Sequence, residues 1–207
     1  MADAPIVHII DDDASLRGAL GSLFRSTGLE SRSYESVAAF MGAELPDAPG
    51  CLVLDVRLPG MSGLEFQQKL DELGVRLPAI LMTGHGDIPM SVRAMKSGAV
   101  DFLPKPFRDQ EMLDAVAAAL EKDRARRAAL GALGALRSAY QGLSPRERQV
   151  MALVTAGKMN KQVAGALALS EITVKIHRGA AMRKMGAKTL ADLVRMAEAL
   201  GVRPEAP

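Results

Sequence analysis

The sequence predicts two units of different class. The first is an α/β unit, a βα step repeated five times around a parallel five-stranded sheet; beyond a helical linker follows an all-α unit of four helices. Three observations carry that prediction. Short β-rich apolar runs alternate with helix-like segments over residues 1–122. Beyond Leu143 the apolar periodicity is helical throughout. Charge divides as well: residues 1–122 hold 11 Lys/Arg against 18 Asp/Glu, net −7, whereas residues 123–207 hold 15 against 6, net +9. A basic unit joined to an acidic one is expected to face a polyanion.

In chain order, strands are expected near 6–10, 30–34, 51–54, 79–82 and 100–103. Asp13 suits the N-cap of a first helix that continues to Ser26, because Leu16, Ala19, Leu20, Leu23 and Phe24 recur at helical spacing and Gly28 can stop it. Further helices fit Ser36–Met41, Leu64–Leu73, Met90–Ser97 and Gln110–Glu121. Pro104 lacks an N–H, so the last strand should end there or lie at an edge. The linker, residues 123–142, is rich in Ala, Arg and Leu and can prolong the preceding helix, with Gly131, Gly134 and Gly142 as potential hinges.

The second unit, 143–207, opens on a strong helix start: Ser144 as N-cap, Pro145 at the first position and Glu147 at N3. Helical stretches follow at about 160–168, 171–185 and 189–200. The first two of these are joined through Ala168-Leu169-Ser170, which fits a helix-turn-helix whose second helix enters the major groove. Val150, Leu153, Val154, Val163, Leu167, Val174 and Leu193 are the expected small core.

With 207 residues, 48% of them apolar, two modest domains can each bury a core. The single cysteine, Cys51, excludes an intrachain disulfide and sits inside an apolar run, so it is expected as packing. A reducing compartment, no stretch of membrane-span length and no basic-then-apolar amino terminus give a cytoplasmic expectation with no membrane partner.

Four apolar runs in the first unit end on residues suited to phosphoryl chemistry. Ile6–Ile10 leads into Asp11-Asp12-Asp13, Cys51–Leu54 into Asp55, Ala79–Met82 into Thr83, and Val100–Pro104 into Lys105. In a parallel sheet the carboxyl ends of the strands share one rim, where ligands of such folds bind. Carboxylates, a hydroxyl and an ammonium are thereby gathered where a hard divalent cation and a phosphoryl group could be received.

These residues resemble the receiver domain of bacterial response regulators, a CheY-like, flavodoxin-like fold. Asp11 and Asp12 match its acidic pair, Asp55 its phosphorylated aspartate, Thr83 its switch hydroxyl, and Lys105-Pro106 its lysine–proline pair. The second unit resembles the LuxR-type DNA-binding domain through Ser144-Pro145-Arg146-Glu147-Arg148, Asn160-Lys161 and Thr173-Val174-Lys175-Ile176-His177-Arg178. Within the class, Met82-Thr83-Gly84-His85-Gly86-Asp87-Ile88-Pro89-Met90 looks like the FixJ subgroup.

The resemblance implies a phosphorylation-activated transcriptional regulator of a two-component system. Asp55 would accept a phosphoryl group from a sensor histidine kinase; the protein would then dimerise and bind promoter DNA, with RNA polymerase as a further partner. Mg²⁺ is the implied cofactor, held by Asp12 and Asp55, with Asp11 positioning a coordinated water and the Arg57 backbone carbonyl completing the protein ligands. Phe102 matches the aromatic switch position, and the Lys105–Pro106 bond is expected to be cis. Lys175, Ile176, Arg178 and Gly179 lie toward the front of the second helix, near base edges; Asn160, Lys161 and Thr173 are better placed for phosphates. Gly179 offers no side chain, and Ala168 stands where the turn often has Gly.

Two other classes compete. An Mg²⁺-dependent phosphatase working through an aspartyl phosphate would suit Asp55, but the residue two positions on is Arg57 and no Asp-x-Asp pair forms. Only self-phosphorylation and self-dephosphorylation are therefore expected, and not an enzyme activity on external substrates. A constitutive DNA-binding protein with a vestigial acidic unit is opposed by the intact Asp11, Asp12, Asp55, Thr83 and Lys105 set.

Overall fold

A computed structural model describes residues 4–84 and 88–204, with the side chains of 88–90 outside the description. The chain divides into two compact units, Met1–Arg127 and Ala128–Pro207.

The first unit runs β1 (Ile6–Ile10), α1 (Ala14–Ser26), β2 (Glu30–Tyr34), α2 (Val37–Met41), β3 (Gly50–Asp55), α3 (Gly63–Lys69), β4 (Ala79–Thr83), α4 (Ile88–Lys96), β5 (Asp101–Pro104) and the start of α5 (Asp109–Gln141). All strand pairings are parallel, in the order β2-β1-β3-β4-β5. Alternation along the buried strands feeds two cores. Val7, Ile9, Cys51, Val53, Ile80 and Met82 pack with α1 and α5 through Leu20, Phe24, Met112 and Val116. Ile10, Leu52, Leu54 and Leu81 pack on the other face with Phe40, Phe66 and Ala94 from α2, α3 and α4. Cys51 is fully buried, and that burial, with the Asp123 charge second, pushes its thiol up to about 12.

Two expectations need adjustment and one is met. The third helix ends at Lys69 instead of reaching Leu73, because residues 71–74 turn and Gly74 reverses the chain at φ 73°. Proline does end the last strand, which is also an edge strand. The linker does prolong the fifth helix beyond Glu121, but Gly131 and Gly134 are not hinges: the helix is continuous to Gln141.

Within the first unit that helix is fastened by Asp123, whose side chain is fully buried. Its carboxylate accepts the Gly50 N–H at the head of β3 (3.1 Å), Arg126 Nη2 (2.5 Å) and Arg127 Nε (2.9 Å). Arg127 also pairs with Asp47 at 2.5 Å. Burial opposes ionisation of Asp123, but the Arg126, Gly50 and Arg127 hydrogen bonds outweigh it and hold the carboxyl below its ordinary range.

The second unit contains the end of α5 and α6 (Pro145–Thr155), α7 (Asn160–Leu167), α8 (Glu171–Met185) and α9 (Leu190–Leu200). Ser144 and Glu147 form the expected capping box, and Glu147 also takes Lys184 Nζ at 2.7 Å. Val150, Val154, Val163, Val174 and Leu193 are buried, with Leu153 and Leu167 packed at the edge of the same cluster as Leu136 and Tyr140 from α5. Ala168 turns the chain between α7 and α8 in the left-handed region, φ 54° and ψ 47°, and Ser170 caps α8 by accepting the Thr173 N–H.

Candidate functional site

The strand register explains why one rim collects the reactive groups. Ile10 pairs with Leu54, Asp55 with Met82 and Thr83 with Pro104, so Asp11, Asp55, Thr83 and Lys105 emerge from adjacent strands at the same level. Asp11 and Thr83 are fully buried and Asp55 is 5% exposed; Asp12 is exposed. Lys105 Nζ lies 2.7 Å from Asp11 Oδ2 and 2.9 Å from Asp55 Oδ1. The remaining oxygens are fixed by backbone: Asp13 N–H donates to Asp11 Oδ1 at 2.8 Å, and Arg57 N–H to Asp55 Oδ2 at 3.1 Å. Lys105 is itself placed by its own N–H, which donates to the Thr83 carbonyl at 2.7 Å, ahead of a cis bond to Pro106.

Asp13 caps α1 through the Ser15 and Leu16 N–H groups, and is not part of the acidic cluster. Burial raises the Asp55 carboxyl above its ordinary value, although Lys105 and the Arg57 N–H pull the other way and Asp11 adds to the rise. For Lys105, burial disfavours the charge, but the hydrogen bonds to Asp11 and Asp55 prevail and raise it.

One carboxylate oxygen from each of Asp11, Asp12 and Asp55 falls within a 4.8 Å group. That is a hard-oxygen donor set that could bind Mg²⁺. Two residues that shape the rim carried no sequence signal. Arg17 Nη1 donates to the Asp11 carbonyl at 2.7 Å. Gly63, buried at the start of α3, leaves room that any Cβ would fill, since that atom would stand 2.0 Å from the Asp55 carbonyl oxygen. Phe102 is half-buried against the α2–α4 core. Of the Met82–Met90 segment, His85, Gly86 and Asp87 lie outside the described residues.

In the second unit α8 buries Val174, Ala181 and Met185 and exposes Lys175 and Ile176, the latter 63% exposed. Lys161 is exposed at the first turn of α7. Arg178 is half-buried, with Nη1 donating to Asn160 Oδ1 at 3.4 Å, so Asn160 touches a cation of the second helix. The Thr173 hydroxyl sits 2.8 Å from the Ser170 hydroxyl, within the α8 cap. Gly179 follows one turn after Lys175.

Residues 7–117 match the response regulator receiver domain family, and residues 141–197 the luxR family of bacterial regulatory proteins. Nodulation protein W of Bradyrhizobium diazoefficiens is 58% identical over 95% of this chain and 87% of its own. The transcriptional regulatory protein FixJ of Azorhizobium caulinodans is 44% identical over 99% and 97%. Among solved structures, the response regulator StyR is 44% identical with a TM-score of 0.83, covering 95% of this chain and 99% of that one. Full-length FixJ from B. japonicum is 36% identical with a TM-score of 0.56, covering 97% and 98%. The chain belongs to the two-component response regulators, in the group that joins a receiver domain to a LuxR-type DNA-binding domain. It is a transcriptional regulator of a two-component system. Among the described residues no helix is long and apolar enough to cross a membrane.

Proposed function

We propose that Asp55 is the phosphoacceptor and that its modification controls how the basic unit binds promoter DNA. The observation that carries this reading is the setting of Asp55: a nearly buried carboxylate at a strand end, held between Lys105 Nζ and the Arg57 N–H beside two further carboxylates. A carboxylate oxygen of Asp55 attacks phosphorus of the phosphohistidine of a sensor kinase. The new O–P bond forms as the N–P bond breaks, and the imidazole leaves with the electron pair. Lys105, already between Asp55 and Asp11, meets the charge on the transferring oxygens.

Asp11, Asp12 and Asp55, with the Arg57 carbonyl, would hold Mg²⁺, which when bound supplies positive charge against the clustered carboxylates and the phosphoryl oxygens. The acyl phosphate brings more negative charge and new acceptors, toward which the Thr83 hydroxyl donates while Phe102 turns inward. The protein dimerises in response and presents two basic units to one duplex, where it works with RNA polymerase. Residues 1–122 serve as receiver, 123–142 as linker and 143–207 as DNA-binding domain, in the cytoplasm. No turnover of external phosphoesters accompanies this, only formation and hydrolysis of its own acyl phosphate. Lys175, Ile176, Arg178 and Gly179 face bases, and Lys161 and Thr173 phosphates, with Asn160 acting beside Arg178.

Treatment with a small acyl phosphate donor and Mg²⁺ should add one phosphoryl group to Asp55, shift the protein toward a dimer and tighten DNA binding. Asp55→Asn should lose all three responses with its fold retained. An unmodified Asp55 with the adduct elsewhere, read by mass spectrometry, defeats the assignment.

A further inference from the structure

Ile172, Ile176, Gly179 and Arg183 recur at spacings of three and four along α8 and therefore share one stripe of the helix. The opposite side is the buried one, through Val174, Ala181 and Met185. Ile172 is 71% and Ile176 63% exposed, and Arg183 is exposed. Gly179 has no side chain, and the position its Cβ would take lies 3.7 Å from Arg183 Nη1. The Arg183 guanidinium is thus folded back over Gly179, one turn or about 6 Å toward the amino end of the helix, the direction in which helical side chains lean.

Neighbouring cations are engaged by other groups. Lys184 pairs with Glu147 and Arg178 with Asn160. Among the described residues the Arg183 guanidinium has no ion pair or hydrogen bond. An unpaired guanidinium laid along an exposed helix face, on one stripe with two isoleucines toward the amino end, matches the chemistry of a G·C pair with thymines to one side. Its fork can donate to guanine O6 and N7, and branched apolar side chains suit the thymine methyl group.

We propose that Arg183, lying across Gly179, is a base-reading residue of this DNA-binding unit and takes a guanine edge in the major groove. The proposal rests on α8 being the helix that enters the groove. It makes the side-chain-free position 179 a requirement: the missing group is supplied from one turn further along, by a residue whose spacing alone reads as a solvated arginine.

The test is selection of duplexes from a randomised library by the full-length, phosphodonor-treated protein, compared with Arg183→Ala, Gly179→Leu and Lys175→Ala. The wild type should enrich a consensus containing a guanine. Arg183→Ala should lose preference at that position, with binding to the consensus weakened about 10- to 100-fold. Gly179→Leu should relax the same position by displacing the guanidinium, with helix content unchanged by circular dichroism. A consensus without guanine, or an Arg183→Ala variant that keeps the full consensus and weakens all sequences equally, overturns the proposal. If Lys175→Ala then still alters selection, α8 remains the reading helix; if it too changes nothing, that underlying reading falls as well.

Discussion

At the scale of single residues, His8 shows how a buried group ties stability to pH. It is 3% exposed on β1, stacked 5.9 Å from Tyr34 and edge-on to Phe40. Burial, with the Arg32 charge second, lowers its pKa to about 4 from 6.5. A depressed folded value means that the unfolded chain takes up the proton first, so the contribution is complete above pH 6.5 and is lost as pH falls toward 4. At pH 5 the loss should be about 2 kcal/mol. The chain has two tyrosines and no tryptophan, so urea unfolding can be followed through Tyr34 fluorescence in a Tyr140→Phe background. His8→Gln should flatten the difference between pH 7 and pH 5; an unchanged slope would show that other groups set it. The meeting of Asp11, Asp55, Thr83 and Lys105 at one rim was legible because each follows an apolar run long enough to mark a buried strand. Gly63 was not, since its requirement comes from a 2.0 Å approach to the Asp55 carbonyl oxygen that only the packed α3 reveals.

Among the elements, the α7–α8 turn and the body of α5 carry the sharpest consequences. Ala168 adopts φ 54°, where a Cβ costs on the order of 1 kcal/mol relative to glycine. Ala168→Gly should stabilise the second unit by about that amount, visible as slower hydrogen exchange of the α7 and α8 amides. Slower or faster exchange confined to the first unit would contradict the assignment. The position was legible through the resemblance, because Ala168 stands where related turns often have Gly, and the structure supplies the positive φ. In contrast, the length of α5 was legible only in part, from a linker composition that favours prolonging it. Gly131 and Gly134 read as interruptions, yet Leu136 and Tyr140 join a core beyond them and the helix continues. Asp123 was hidden for a different reason: in a run of arginines it looks solvated, whereas it is fully buried beneath Gly50. Asp123→Asn keeps one acceptor oxygen but removes the charge that Arg126 and Arg127 share, leaving Arg127 only Asp47, so it should destabilise the first unit by about 3 kcal/mol. Urea unfolding through Tyr34 would register this, and a change below the error of the midpoint would refute it.

For the whole molecule, the division of charge decides the character of binding. The exposed Lys161, Lys175 and Arg183 lie on the unit whose net charge is +9 by sequence count over residues 123–207, opposite in sign to the −7 of residues 1–122. DNA affinity should therefore fall steeply with salt, with a logarithmic slope of about −0.9 for each phosphate neutralised. Affinity indifferent to ionic strength, measured by titration at several salt concentrations, would rule out this mode of contact. Charge and two independent motif sets made the two-unit architecture readable at this scale, since both are properties of residue type and order. What composition could not show is how the first unit grips its last helix. Asp55, the proposed phosphoacceptor, and the Gly50 N–H held by Asp123 sit at opposite ends of one six-residue strand. Anyone grafting this receiver onto a foreign output module should accordingly cut after Arg127: a splice placed at the motif boundary, before Asp123, would discard the latch that pins the strand carrying Asp55 to the outgoing helix.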